Sequence, residues 1–291
     1  MAPRTQSAKR KPKSPRAAAG NRSVVVGVHL LKTIAGLQAP ASLGEIAKAA
    51  GLSASRTHRF LAGLIQTGLV EQNLNTGRYD LGSTIVELGL IALGRTDAVK
   101  LGSEALVALT ERTGLVSLLS TWGSHGPTLV KWEPGRIQTA VRLREGRNLP
   151  LLTTATGRVF LAHMAASETR ALLDAELKAR TAAKGRVPSA SDIQAMRDDV
   201  LSKGFGRSSG EENPGLSAMA APVFDHEGRI AMVVTIIGIL GTYPTDAEAE
   251  PARLLKATAD QLSRRLGAPQ PGLRGRGAAL ATTVTADAPS A

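Results

Sequence analysis

The sequence predicts an α+β chain with an N-terminal winged helix–turn–helix, a linker helix, and a separate domain mixing helices and strands. Three observations carry this. Ala41 to Leu81 reads as two short helices around a tight turn, followed by a hairpin. Residues 1–82 hold 12 Lys and Arg against 3 Asp and Glu, so most of the net charge of +12 lies at that end. Beyond residue 98, helically spaced segments interleave with short alternating apolar ones. At 291 residues the chain is long enough for two cores.

Residues 1–21 are expected to form a disordered basic arm. The first 22 residues carry seven cations and no acid, with no hydrophobic segment behind them, which excludes a secretory signal. Such an arm either strengthens DNA binding nonspecifically or is a flexible leader.

The winged unit is expected over residues 22–82. Ser23 to Leu37 forms its first helix, with Val25, Val26, Val28, Leu30, Leu31, Ile34 and Leu37 supplying buried surface. Ser42-Leu-Gly-Glu45 is a capping-box start, and Leu43, Ile46, Ala47 and Ala50 follow at helical spacing. Gly51 punctuates, and Ser53 is placed to cap a second helix whose Phe60, Leu61, Leu64 and Ile65 make one buried face. Its other face carries Ser55, Arg56, His58 and Arg59. A helix presenting hydroxyls and cations beyond a supporting helix suits a major groove. Leu69 to Leu81 then alternates like two strands around Asn75-Thr76-Gly77, making a wing. Arg78 is placed there for a phosphate or the minor groove, and Tyr79 for packing inward. The candidate DNA contacts are Arg22, Ser42, Ser53, Ser55, Arg56, Thr57, His58, Arg59 and Arg78. Guanine reading and phosphate clamping are both open to Arg56, and intrahelical support is the alternative for His58 and Arg59.

A linker helix is expected over residues 83–97, capped by Ser83, carrying Ile85, Val86, Leu88, Leu90 and Ile91, and interrupted at Gly94 to Asp97. Its apolar residues fall on more than one side, which suits packing against a second subunit. The distal domain, 98–267, begins with a helix from Val99 to Thr113. Strands are expected at Leu115–Thr121, Thr128–Trp132 and Thr139–Leu143, and helices at Thr156–Met164, Glu168–Leu177 and Ser191–Leu201. Ala218–Phe224 and Ile230–Ile237 form an apolar hairpin through Asp225-His226-Glu227-Gly228, and Thr245 caps a long helix to about Leu266. Residues 268–291, rich in Ala, Gly, Pro and Thr, read as a disordered tail.

With no cysteine, disulfides, thiolate metal sites and thiol nucleophiles are excluded, which fits a cytoplasmic protein. No apolar run approaches the ~20 residues of a membrane span, so no membrane partner is expected. No metal, cofactor or catalytic residue is expected either. The five histidines (His29, His58, His125, His163, His226) are not paired at metal-ligand spacing, and no HExxH, GxSxG or Walker A motif occurs. Gly204-Phe-Gly206 with Gly210 lacks the strand–helix context of a phosphate loop. Asp225-His226-Glu227 sits at a turn, where such residues are favoured anyway. The rival classes are a metabolite-converting enzyme with an accessory DNA-binding part and a nonspecific chromosome-binding protein. The first lacks an assembled site, and the second leaves the distal domain without a role.

Three stretches carry a family resemblance. GLSASRTHRFLAGLIQTGLV with TGRYDLG in the winged unit, LPLLTTATGRVFLA at Leu149–Ala162, and GFGRSSGEENPGLSAMAAPVFD at Gly204–Asp225 resemble the IclR family of bacterial transcriptional regulators in order and spacing. The resemblance runs from about Arg22 to Leu266. It implies a GAF-like effector domain with a central antiparallel sheet flanked by helices. It also implies a homodimer or dimer of dimers on pseudo-palindromic double-stranded operator DNA, and activation or repression of a catabolic or metabolic operon. The family often has Ser-Thr early in the recognition helix, where this chain has Ser55-Arg56.

By the same resemblance, a small-molecule effector lies between the sheet and the loop entering the Leu149–Ala162 helix. The matching positions are Leu149, Ala155, Thr156, Ser208, Ala218, Thr235 and Ile237. A helix N-terminus suits a carboxylate, hence an organic acid or another polar small molecule. Members that bind small polar acids place an acid, a cysteine and two serines where this chain has Ser208, Ala218, Thr235 and Ile237. The apolar Ala and Ile point to a larger, partly hydrophobic ligand such as an aromatic acid, with Thr235 and helix amides at its polar end. The alternative is that these are ordinary core positions.

Overall fold

The computed structural model describes residues 21–37, 40–136, 144–183 and 185–269. The expected arm, tail and Thr139–Leu143 strand lie wholly or almost wholly outside these residues. The described chain divides into two compact units between Ile91 and Ala92.

The first unit contains α1 (Arg22–Gly36), α2 (Leu43–Ala50), α3 (Ala54–Gln66), β1 (Val70–Gln72), β2 (Tyr79–Leu81) and most of α4 (Ser83–Gly94). Local chemistry sets most of its boundaries. The Ser42 hydroxyl accepts from the Glu45 amide at 3.3 Å, and the Ser42 amide donates to the Glu45 carboxylate at 2.7 Å, closing the capping box. Gly51 ends α2 at φ 65°, a left-handed conformation that frees the chain to turn into α3. The Ser53 hydroxyl then accepts from the Arg56 amide at 3.4 Å. β1 and β2 pair antiparallel, and Ala41 adds a bridge to Tyr79 that the sequence pattern does not reveal. Leu30, Ile34, Ala41, Ile46, Leu61, Val70 and Tyr79 form the core.

Two expectations about this core need correction. Val25 and Val28, expected inside, are 63% and 45% exposed, because α1 buries the stripe Gly27, Leu30 and Ile34 instead. Ile65, expected on the buried face of α3, is also exposed. α4 begins at Ser83 itself, so Ser83 lies within the helix.

The second unit is a five-stranded antiparallel sheet of order β4-β3-β7-β6-β5. Its strands are β3 (Val116–Gly123), β4 (Gly126–Glu133), β5 (Gly206–Ser209), β6 (Leu216–Phe224) and β7 (Ile230–Ile239). One face packs against α5 (Ala98–Thr113) and α9 (Glu250–Arg265) through Leu106, Leu109, Leu255 and Leu262 against Leu119, Met219, Val234 and Ile236. The other packs against α6 (Ala155–His163), where Val159 and Phe160 meet Ala220 and Val233 and α8 (Ala190–Lys203) adds Val200. α7 (Ala166–Ala182) sends Leu172, Leu173 and Leu177 against Leu151, Leu152 and Leu161. Helices on both faces explain why β7 reads as a nearly unbroken apolar run, since alternate side chains enter two different cores.

α9 starts at Glu250 with Pro251 in its first turn, so Thr245 does not cap it as expected. The chain instead turns at Asp246–Ala249 before the helix begins.

Candidate functional site

The winged unit presents α3 as its outward helix. Ser55, His58 and Arg59 are exposed on it. Arg56 is half-buried, its guanidinium lying 5.9 Å from the centroid of the Phe60 ring. Thr57 is a correction. It is fully buried, and its hydroxyl has no partner among the described residues. The helical spacing Thr57, Leu61, Leu64 puts it on the core stripe, so its side chain is not available to DNA. Ser42 and Ser53 serve as helix caps. Arg22 is exposed in the first turn of α1. Arg78 donates to the Pro40 carbonyl at 2.9 Å and reaches the Glu45 carboxylate at 3.3 Å, tying the wing to the start of α2. Glu45 sits below the usual carboxylate range, chiefly through the Ser42 amide.

In the second unit, all seven expected effector residues line one pocket. Strand register explains how. Ser208 on β5, Ala218 on β6 and Ile237 on β7 are Cα partners in one row across the sheet. Thr235 pairs with Leu118 in the next row on the same face. The start of α6 closes over this floor with Ala155 and Thr156, and Leu149 completes the wall. The space inside the pocket, counting the part open to solvent, is about 560 Å³.

Several features hold α6 in place. Thr154 caps it, accepting from the Gly157 amide at 2.9 Å. A side chain at Gly157 would collide with the Pro150 carbonyl, and one at Gly206 would come within 2.8 Å of the Ala155 carbonyl. Both glycines permit the close approach that brings the helix start onto the sheet. The Glu176 carboxylate accepts from the Leu151 and Leu152 amides at 2.6 and 3.1 Å, fixing the loop before α6. Burial pushes Glu176 above the ordinary carboxylate range, although those two bonds oppose it.

The first-turn amides of α6 at Ala155 and Thr156 have no acceptor among the described residues, and both residues line the pocket. The Thr156 and Thr235 hydroxyls bond to one another at 2.7 Å. The sequence reading missed Arg147 and Glu212. They line the mouth and form an ion pair at 3.2 Å. They lie in irregular segments, where no periodicity marks them.

Among the described residues no group of three or more His, Cys, Asp or Glu is arranged to hold a metal ion, and no helix is long and apolar enough to cross a membrane. A winged helix–turn–helix in one chain with a pocketed antiparallel sheet is the build of a DNA-binding regulator with an effector domain. The comparisons agree. Residues 91–264 match the family model described as the bacterial transcriptional regulator IclR C-terminal, and residues 23–74 match the IclR helix-turn-helix domain. The chain belongs to the IclR family of transcriptional regulators.

It is 29% identical to the HTH-type transcriptional regulator XynR of Escherichia coli, over 77% of this chain and 89% of that one. It is 30% identical to the glycerol operon regulatory protein of Streptomyces griseus, over 82% and 94%. Among solved structures, Pseudomonas aeruginosa HmgR superimposes with a TM-score of 0.76 at 31% identity, covering 85% of this chain and 99% of that one. The first two are regulatory proteins by name.

Proposed function

We propose that this regulator binds a carboxylic acid with a sizeable apolar or aromatic body in the pocket at the start of α6, and that the bound acid changes its affinity for operator DNA. The observation that carries the reading is that the N-terminus of α6 and Arg147 share one pocket with Leu118, Ala218 and Ile237. The amides and guanidinium suit a carboxylate, and the floor suits apolar area. The acid's polar end meets the amides and Thr235.

On DNA, α3 enters the major groove, with Ser55, Arg56, His58 and Arg59 nearest the bases and phosphates. Arg22, Ser42, Ser53 and Arg78 lie toward the backbone. The active species is a homodimer or dimer of dimers on a pseudo-palindrome controlling a catabolic or metabolic operon. In support, Val86, Leu88, Leu90 and Ile91 on α4 are 62%, 54%, 64% and 43% exposed, a large apolar area for a lone helix. A coupling of ~1–3 kcal/mol between acid and DNA changes operator affinity 5–150-fold, and its sign makes the protein a repressor or an activator.

Calorimetric titration with aromatic and aliphatic acids, together with footprinting upstream of the protein's own and neighbouring genes, tests this. Tight binding of an aromatic acid that alters a short protected repeat is the expected result. Preference for a two- or three-carbon acid overturns the ligand reading. Uniform coating of DNA at physiological salt overturns the operator reading.

A further inference from the structure

Among the described residues lining the pocket, Arg147 is the one cation and Glu212 the one anion. They stand 65 residues apart and meet at its mouth. Both oxygens of Glu212 are engaged. One accepts from Arg147 at 3.2 Å, and the other accepts from the Thr153 hydroxyl at 2.7 Å, one residue before the cap of α6. Its neighbour Glu211 pairs with Arg158 on α6 at 2.8 Å. Two consecutive carboxylates thus fasten the β5–β6 loop to the segment around the helix start.

We propose that Glu212 is a built-in competitor for the ligand's carboxylate: it pairs with Arg147, and an entering acid must displace it and so loosen the β5–β6 loop. This rests on the reading of the pocket as an organic-acid site. With Glu212 in place the mouth is neutral overall, and a second carboxylate beside it meets a like charge. The Arg147 and Glu212 side chains are 39% and 26% exposed, and an ion pair so placed is weakly held and readily exchanged. A ligand carboxylate that also bonds to the α6 amides gains donors that Glu212, fixed to its loop, does not reach in this structure. Displacement frees Glu212 from Arg147 and leaves Glu211 on Arg158, so acid occupancy is converted into a change in how one of the loop's two carboxylates is held. A neutral ligand of the same shape leaves the pair intact, which makes the loop a sensor of charge as well as of shape.

The test uses the full chain, with benzoate, phenylacetate and 4-hydroxybenzoate as probes and their primary amides as neutral controls. Glu212→Gln removes the competing charge and is expected to tighten binding of the acids about tenfold while leaving the amides unchanged. Arg147→Gln is expected to weaken the acids at least tenfold, again sparing the amides. Independently of any ligand, Glu212→Ala and Arg147→Ala are expected to speed hydrogen exchange at residues 210–215 about fivefold or more. If acids bind but Glu212→Gln leaves them unchanged or weaker, the competitor is overturned and the acid pocket stands. Unchanged exchange in both alanine variants likewise overturns the latch alone. If none of the acids binds wild type or Glu212→Gln, the acid reading of the pocket fails, and this inference falls with it.

Discussion

Thr156 on α6 and Thr235 on β7, 79 residues apart, join their hydroxyls at 2.7 Å in a buried contact within the wall of the pocket. Thr235 is 2% exposed and interrupts the apolar run of β7, and Thr156 is the one residue of α6 whose hydroxyl meets it. The pair ties the helix start to the sheet and leaves lone pairs for a guest. Changing either threonine to valine strands the other hydroxyl, and each single change is expected to cost ~1–3 kcal/mol. The double change to valine is expected to cost less than the sum of the two, because no orphan remains. Chemical denaturation of the three variants measures this, and strict additivity contradicts it.

Thr57 bears on how α3 is read. Its buried hydroxyl has no partner among the described residues, so Thr57→Val replaces an unsatisfied oxygen with a methyl of similar volume. The variant is expected to be at least as stable as wild type, by up to about 1 kcal/mol, with unchanged DNA affinity. A tenfold loss of DNA binding without loss of stability contradicts the placement of Thr57 in the core.

Arg59 and Arg78 are expected to differ. Arg59 is exposed and makes no hydrogen bond or ion pair among the described residues, so Arg59→Ala weakens DNA binding with little change in melting temperature. If its contact is to a phosphate, the salt dependence of binding falls by about one counterion. Arg78 already bonds to Pro40 and Glu45, so Arg78→Ala loosens the wing as well as weakening DNA binding. Salt titration of DNA affinity beside thermal melting separates the two.

Glu176 gives a pH signature. Burial raises its folded pKa above the ordinary value of 4.5. Between the unfolded and folded values the native state therefore binds more protons than the unfolded chain, so stability falls as pH rises through that window. Glu176→Gln is expected to flatten this part of the stability profile while keeping an acceptor for one of the two loop amides. An unchanged profile in urea melts across that range contradicts the assignment.

The winged unit was legible because its signals are local. A capping box, a left-handed glycine and a short wing turn each act within about ten residues, and all three form where the sequence places them. Periodicity went wrong where one helix offers two apolar stripes, as with Val25 and Val28 on α1. It also went wrong where a polar residue lies on the core stripe, as Thr57 does, although its spacing to Leu61 and Leu64 was there to be read. The pocket positions came from family resemblance rather than from any pattern in the residues themselves.

By itself, the sequence determined where the helices of the winged unit begin and turn, and which of its faces is cationic. These follow from hydrogen bonds and charges between near neighbours. Only the tertiary structure decided that Ser208, Ala218, Thr235 and Ile237 share one face of the sheet, and that Arg147 meets Glu212 above it. Strand register and the closing of irregular loops bring these residues together across long stretches of chain. No spacing rule connects them, because the energy that pairs them exists only once the sheet has formed.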